Sequence, residues 1–146
     1  GLDPQSRRQL WDVVTEFRAG GGTILLTTHA MDEAERLCDR IAIMDRGKII
    51  AQGTPAQLVA SIGGEAVIEF RASPVPSMPA LRAIHGVREV RTAGDGFQLT
   101  VAELHSSVPA LLDFLGIQGA TLDTLTTRHV NLEDVFLQLT GRQLRD

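Results

Sequence analysis

Among the residues able to do chemistry, His29 has the most telling setting: it ends the run Thr23-Ile24-Leu25-Leu26-Thr27-Thr28. A near-continuous apolar and β-branched run predicts a strand covered on both faces. In open α/β sheets ligands collect beyond the carboxyl ends of such strands, so an imidazole there can aim an N–H at a bound group. On position alone, a structural histidine is the commoner case. His85, His105 and His129 stand isolated, without a second ligand at metal spacing, so no metal site is predicted. Cys38 is the single cysteine. An intramolecular disulfide is therefore impossible, in keeping with a reducing compartment, and with no activating neighbour Cys38 reads as a buried helix-contact residue.

The elements around His29 follow from caps and periodicity. Asp3-Pro4 opens a helix, Asp3 as N-cap and Pro4 at the first helical position. Leu10, Val13, Val14 and Phe17 continue it at helical spacing until Gly20-Gly21-Gly22 ends it. After His29, Asp32 and Glu33 occupy a first helical turn, where the macrodipole favours negative charge, with Met31, Ala34 and Leu37 on one face. Two strands, 41–44 and 48–51, are joined at Asp45-Arg46-Gly47, where Gly47 supplies a positive φ. Thr54-Pro55-Ala56-Gln57 carries a capping box and starts a helix through Leu58, Val59 and Ile62, stopped by Gly63-Gly64.

Beyond that point the rhythm changes. Strand (67–71), helix (79–85), strand (87–92), strand (96–102), helix (108–115) and strand (121–127) give the order βαββαβ, followed by a helix over 132–140. That is the split βαβ order of a ferredoxin-like sandwich, with two helices on one face of a four-stranded antiparallel sheet. Phe97, Leu99 and Val101 alternate with Gln98 and Thr100, predicting one buried and one exposed face. Leu132, Val135, Phe136 and Leu139 form a core stripe. The domain boundary is placed near Gly63-Gly64, dividing the chain into 1–63 and 64–146.

Bulk properties narrow the function classes. A length of 146 residues with 43% hydrophobic content suits one ordinary domain or two small ones. The net charge is −4 and the cations are scattered among acids, which argues against nucleic acid as a partner. No apolar stretch approaches the roughly 18 residues that span a bilayer, and residues 1–10 show no targeting pattern, so a cytoplasmic chain is expected.

One longer stretch carries a resemblance. From Gly1-Leu2-Asp3 through His29, Asp32-Glu33-Ala34-Glu35, Cys38-Asp39-Arg40-Ile41 and Gly47-Lys48-Ile49, the sequence resembles, in order and spacing, the C-terminal part of an ABC transporter nucleotide-binding domain. The match runs from Gly1 to about Ile62. The tail, ending Asn131-Leu132-Glu133-Asp134-Val135-Phe136-Leu137-Gln138-Leu139-Thr140-Gly141, is similar to the appended C-terminal domain of the daunorubicin-resistance type of drug exporter. The resemblance implies an α/β C-terminal piece of a P-loop NTPase ABC domain, followed by an α+β ferredoxin-like domain that is regulatory or dimer-stabilising.

The same resemblance implies that His29 is the switch histidine near the γ-phosphate of ATP. Gly1, Leu2 and Asp3 would then be the end of a D-loop that faces the partner's phosphate-binding loop across a dimer interface. ATP and Mg2+ would serve the full-length protein, a homodimer held peripherally at the inner face of the membrane by a permease. No Gly-x-x-x-x-Gly-Lys-[Ser/Thr] loop occurs in this sequence, and the Walker B acids and signature motif would precede Gly1. The chain alone is therefore expected to bind no nucleotide and to be inactive, an expected fragment of an energy-coupling exporter ATPase, and to self-associate or exchange elements through its unpaired Thr23 strand. The alternative is a non-enzymatic ligand-sensing or protein-interaction module built on the sandwich.

Overall fold

The computed structural model describes residues 2–141. Contacts divide them into two compact units, one made of residues 2–59 with 131–141 and the other of residues 60–130.

In the first unit, α1 (Pro4–Ala19) starts where its cap dictates: Asp3 Oδ1 accepts from the amides of Gln5 at 2.9 Å and Ser6 at 3.0 Å. Its apolar stripe is uncovered. No α1 residue is buried, and Val13 and Phe17 are 62% and 58% exposed. The predicted strand after the glycine turn is corrected in the same way. Residues 22–28 pair with no strand among the described residues, and Leu25 is 93% exposed. A β-branched run becomes a strand only where another strand takes its amides and carbonyls, and none here does.

Helix α2 (Met31–Leu37) follows, then the antiparallel pair β1 (Ile41–Asp45) and β2 (Lys48–Gly53). Arg46 (φ 50) and Gly47 (φ 77) both take left-handed backbone at the turn, as a two-residue primed hairpin demands. In α3 (Pro55–Ala60) the capping box forms, with Gln57 N–H donating to Thr54 Oγ1 at 3.2 Å and Thr54 N–H to Gln57 Oε1 at 3.0 Å. The unit is completed by α6 (Leu132–Thr140), which packs on α2 through buried Leu132 and Val135. The sequence reading grouped that helix with 64–146. A core stripe reports that a face is buried but not which neighbour buries it.

The second unit contains β3 (Ala66–Ser73), α4 (Met78–Arg82), β4 (Val87–Ala93), β5 (Gly96–Val101), α5 (Leu104–Ile117) and β6 (Thr121–His129). The strands lie in the order β4-β5-β3-β6, all antiparallel, which is the strand order of a split βαβ unit. Ile68 and Phe70 of β3 and Phe97, Leu99 and Val101 of β5 face a core closed by Leu81 of α4 and by Leu111 and Leu115 of α5. Phe70 and Phe97 stack with centroids 5.7 Å apart. Gly96 stands where nothing larger fits, since a Cβ there would come within 2.4 Å of the Phe70 carbonyl oxygen. Helix α5 begins four residues before the predicted start at residue 108, and Pro109 is carried inside it at the cost of one i→i−4 hydrogen bond. Strand β6 is an edge strand, bonded on one side only, with a register shift at Arg71/Ala72.

Candidate functional site

His29 lies at a bend between the extended segment and α2, with its side chain exposed. Thr28 shapes that bend, its Oγ1 accepting from the Ala30 amide at 3.0 Å. Beside it is a polar cavity of about 350 Å3 lined by His29, Asp32 and Glu35, by Arg7 of α1, and by Asn131 and Glu133 of α6. One cation and three carboxylates thus share the cavity with the imidazole.

Helix α2 is short, and its N-cap residue Ala30 offers no side-chain bond. Seven residues do not hold a helix in water unaided, so its position is set by neighbours. On the α1 side Glu33 does most of this. Its Oε1 accepts from Trp11 Nε1 at 2.8 Å, and the Thr28 hydroxyl donates to the same carboxylate. The Thr28 and Trp11 hydrogen bonds, with the positive field of Arg7, hold the Glu33 carboxyl below the usual glutamate range. Arg36 lies 5.0 Å over the Trp11 ring, and Arg18 donates to the Leu37 carbonyl at 2.8 Å and to Asp39 at 3.3 Å. Each link ties the helix that follows His29 to α1.

The depressed Glu33 carboxyl sets an acid dependence. Its stabilising bonds are fully present above the ordinary glutamate value of 4.5 and are lost as pH falls through the lower folded value. The urea midpoint of the first unit is expected to drop on acidification below that value, and Glu33→Gln should flatten the drop. A Glu33→Gln profile parallel to the parent's would contradict this assignment. At neutral pH, Glu33→Ala should cost about 1 to 2 kcal/mol, the worth of a charge-assisted bond that is partly exposed.

The other predicted residues fall elsewhere. Asp3 does not line the cavity; its carboxylate is occupied with the α1 cap, and the Ser6 hydroxyl, donating at 2.7 Å, and the Ser6 amide hold it below the usual range. Leu2 is exposed, and Gly1 lies outside the described residues. His85, His105 and His129 are exposed. Cys38 is half-buried just past α2, where burial pushes its thiol up and away from reactivity. Among the described residues no three His, Cys, Asp or Glu side chains stand together as a metal set, and no helix is long and apolar enough to cross a membrane. Sequence reasoning missed Trp11, Arg7, Asn131 and Glu133 as neighbours of the His29 loop, because only tertiary packing brings them there.

The sequence that forms the His29 bend, the β-hairpin and the second unit is similar along its whole length to ATP-binding proteins named for export and resistance. The chain is 39% identical over 146 residues to Nod factor export ATP-binding protein I of Ralstonia nicotianae, covering 100% of this chain and 45% of that protein. Its identity to the Nod factor export ATP-binding protein I of Paraburkholderia xenovorans is 43% over 147 residues, covering 100% and 46%. The linearmycin resistance ATP-binding protein LnrL of Bacillus subtilis is 35% identical over 150 residues, covering 100% and 48%. No family model matches the sequence. The likeness to ABC transporter ATP-binding proteins of the drug-exporter type therefore runs the whole length of the chain, beyond Ile62 and through the tail. The chain spans less than half the length of these relatives.

Proposed function

We propose that this chain is the C-terminal portion of the ATP-hydrolysing subunit of an ABC exporter, with His29 as the group that meets the γ-phosphate. What supports this reading is similarity along the whole of this chain to part of export and resistance ATP-binding proteins, together with a histidine held at the rim of a polar cavity. Phosphoryl transfer asks a protein chiefly for positioning and for donors aimed at developing charge. An imidazole N–H does this without a permanent full charge, and the bonds from Thr28 and Glu33 fix the backbone that presents it. Asp3, rigid in its cap, would present the end of a D-loop, with Leu2 and Gly1, to a second subunit.

ATP and Mg2+ would serve the full-length protein, the metal held chiefly by the nucleotide's phosphate oxygens and water. The second unit is read as a regulatory or dimer-stabilising domain. The relatives named for Nod factor export and linearmycin resistance support drug or antibiotic efflux as the transport task, with the subunit held at the cytoplasmic face of the membrane by a permease. The uncovered α1 stripe and the unpaired run 22–28 support self-association of the chain when it is isolated.

The test is steady-state ATP hydrolysis. The full-length protein should turn over ATP and residues 1–146 alone should not. Equal rates, or no turnover by the full-length protein, would refute the reading.

A further inference from the structure

Helix α6 meets α2 at one polar point. The first amides of a helix lack intrahelical partners, and at α6 those of Asn131, Leu132 and Asp134 are served by side chains. Asn131 Oδ1 accepts from the Asp134 amide at 3.1 Å, and Asp134 Oδ2 accepts from the Asn131 amide at 2.9 Å. The Val135 amide reaches the Asn131 carbonyl at 3.3 Å. The capping box leaves the Leu132 amide unserved, and it donates to Glu35 Oε2 of α2 at 3.4 Å. A carboxylate at that end of α6 also complements the helix dipole. Glu35 meanwhile lines the His29 cavity together with Asn131 and Glu133.

We propose that Glu35 is a positioning residue for His29, acting by clasping α2 to the first turn of α6. This rests on the reading of His29 as the γ-phosphate group. Helix α2 begins two residues after His29 and has no side-chain cap of its own. Its placement is shared between Glu33 on the α1 side and Glu35 on the α6 side. The apolar contact beneath, Ala34 and Leu37 with Leu132 and Val135, supplies adhesion, while the Glu35 bond fixes register along the helix. Whatever shifts α6 also shifts the mounting of His29. Through this clasp the C-terminal helix becomes a means of regulating ATP turnover.

The test compares Glu35→Ala and Glu35→Gln in the full-length protein. Glu35→Ala should lower kcat for ATP about tenfold at unchanged KM, the scale of loss from a slightly misplaced group. Glu35→Gln keeps an oxygen that can accept from the Leu132 amide, and should return kcat to within about twofold. The His29 ring 1H–13C resonance should move in Glu35→Ala and return in Glu35→Gln. Unmoved resonances in Glu35→Ala, or a Glu35→Gln variant as impaired as Glu35→Ala, would overturn the clasp. His29→Ala serves as the separate control. Should it leave turnover intact, the γ-phosphate reading fails, and the His29 resonance alone then decides whether Glu35 positions the ring.

Discussion

In the full-length protein, His29→Ala is expected to reduce ATP turnover by about 100- to 1,000-fold while leaving ATP affinity within a few-fold of the parent. That range is the usual effect of removing one donor aimed at charge that develops in the transition state, about 3 to 4 kcal/mol. The split between kcat and affinity follows because the interaction strengthens as the reaction proceeds, and ground-state binding draws on it little. His29 is free to act this way because it is exposed at a bend and borders an open polar cavity, so removing its ring leaves no void in a core. A loss of folding is not expected to accompany the loss of rate. A kcat within threefold of the parent would remove His29 from the reaction.

The second large effect concerns stability. Leu111 is 0% exposed and packs between α5 and the sheet with Ile68, Phe70 and Leu99. Leu111→Ala should cost about 3 to 4 kcal/mol, the transfer of the lost methyl groups plus the cavity they leave. For a unit of this size that lowers the midpoint of thermal unfolding by roughly 15 to 25 °C. The neighbouring Leu112 is 44% exposed, and Leu112→Ala should change stability by less than about 0.5 kcal/mol. Calorimetry of the pair checks both, and similar melting temperatures for the two variants would mean that α5 is not seated as described.

Local features were legible in the residues. The Asp3 cap, the Arg46-Gly47 turn and the Thr54–Gln57 box each depend on a few neighbouring atoms, and each is found where the sequence predicts it. The strand order of the second unit was also accessible, because Phe97, Leu99 and Val101 alternate strongly and the connections are short. What failed was long-range. Residues 23–28 have the composition of a buried strand and the surroundings of none, since a sheet needs hydrogen-bonding neighbours that composition does not report.

Helix α6 shows the same limit from the other side. Its predicted stripe is buried at Leu132 and Val135 but not at Leu139, which is 45% exposed, and its partner is α2, nearly 100 residues earlier, joined by the Leu132–Glu35 bond. The candidate site was therefore only half readable. His29 stood out by type and place, whereas Arg7, Trp11, Asn131 and Glu133 carry no local mark that they would gather near it. Glu33 was visible as a helix-start acid and Glu35 only as part of the Asp32-Glu33-Ala34-Glu35 stretch, and their separate roles toward α1 and α6 emerge only from packing.

The proposed role of His29 is to sense the terminal phosphate of ATP through its ring. It is tested most directly by 15N NMR of the imidazole in the full-length protein, with ADP and then with a non-hydrolysable ATP analogue. The ring nitrogens are expected to shift with the analogue and not with ADP. Identical spectra in the two nucleotide states would contradict it.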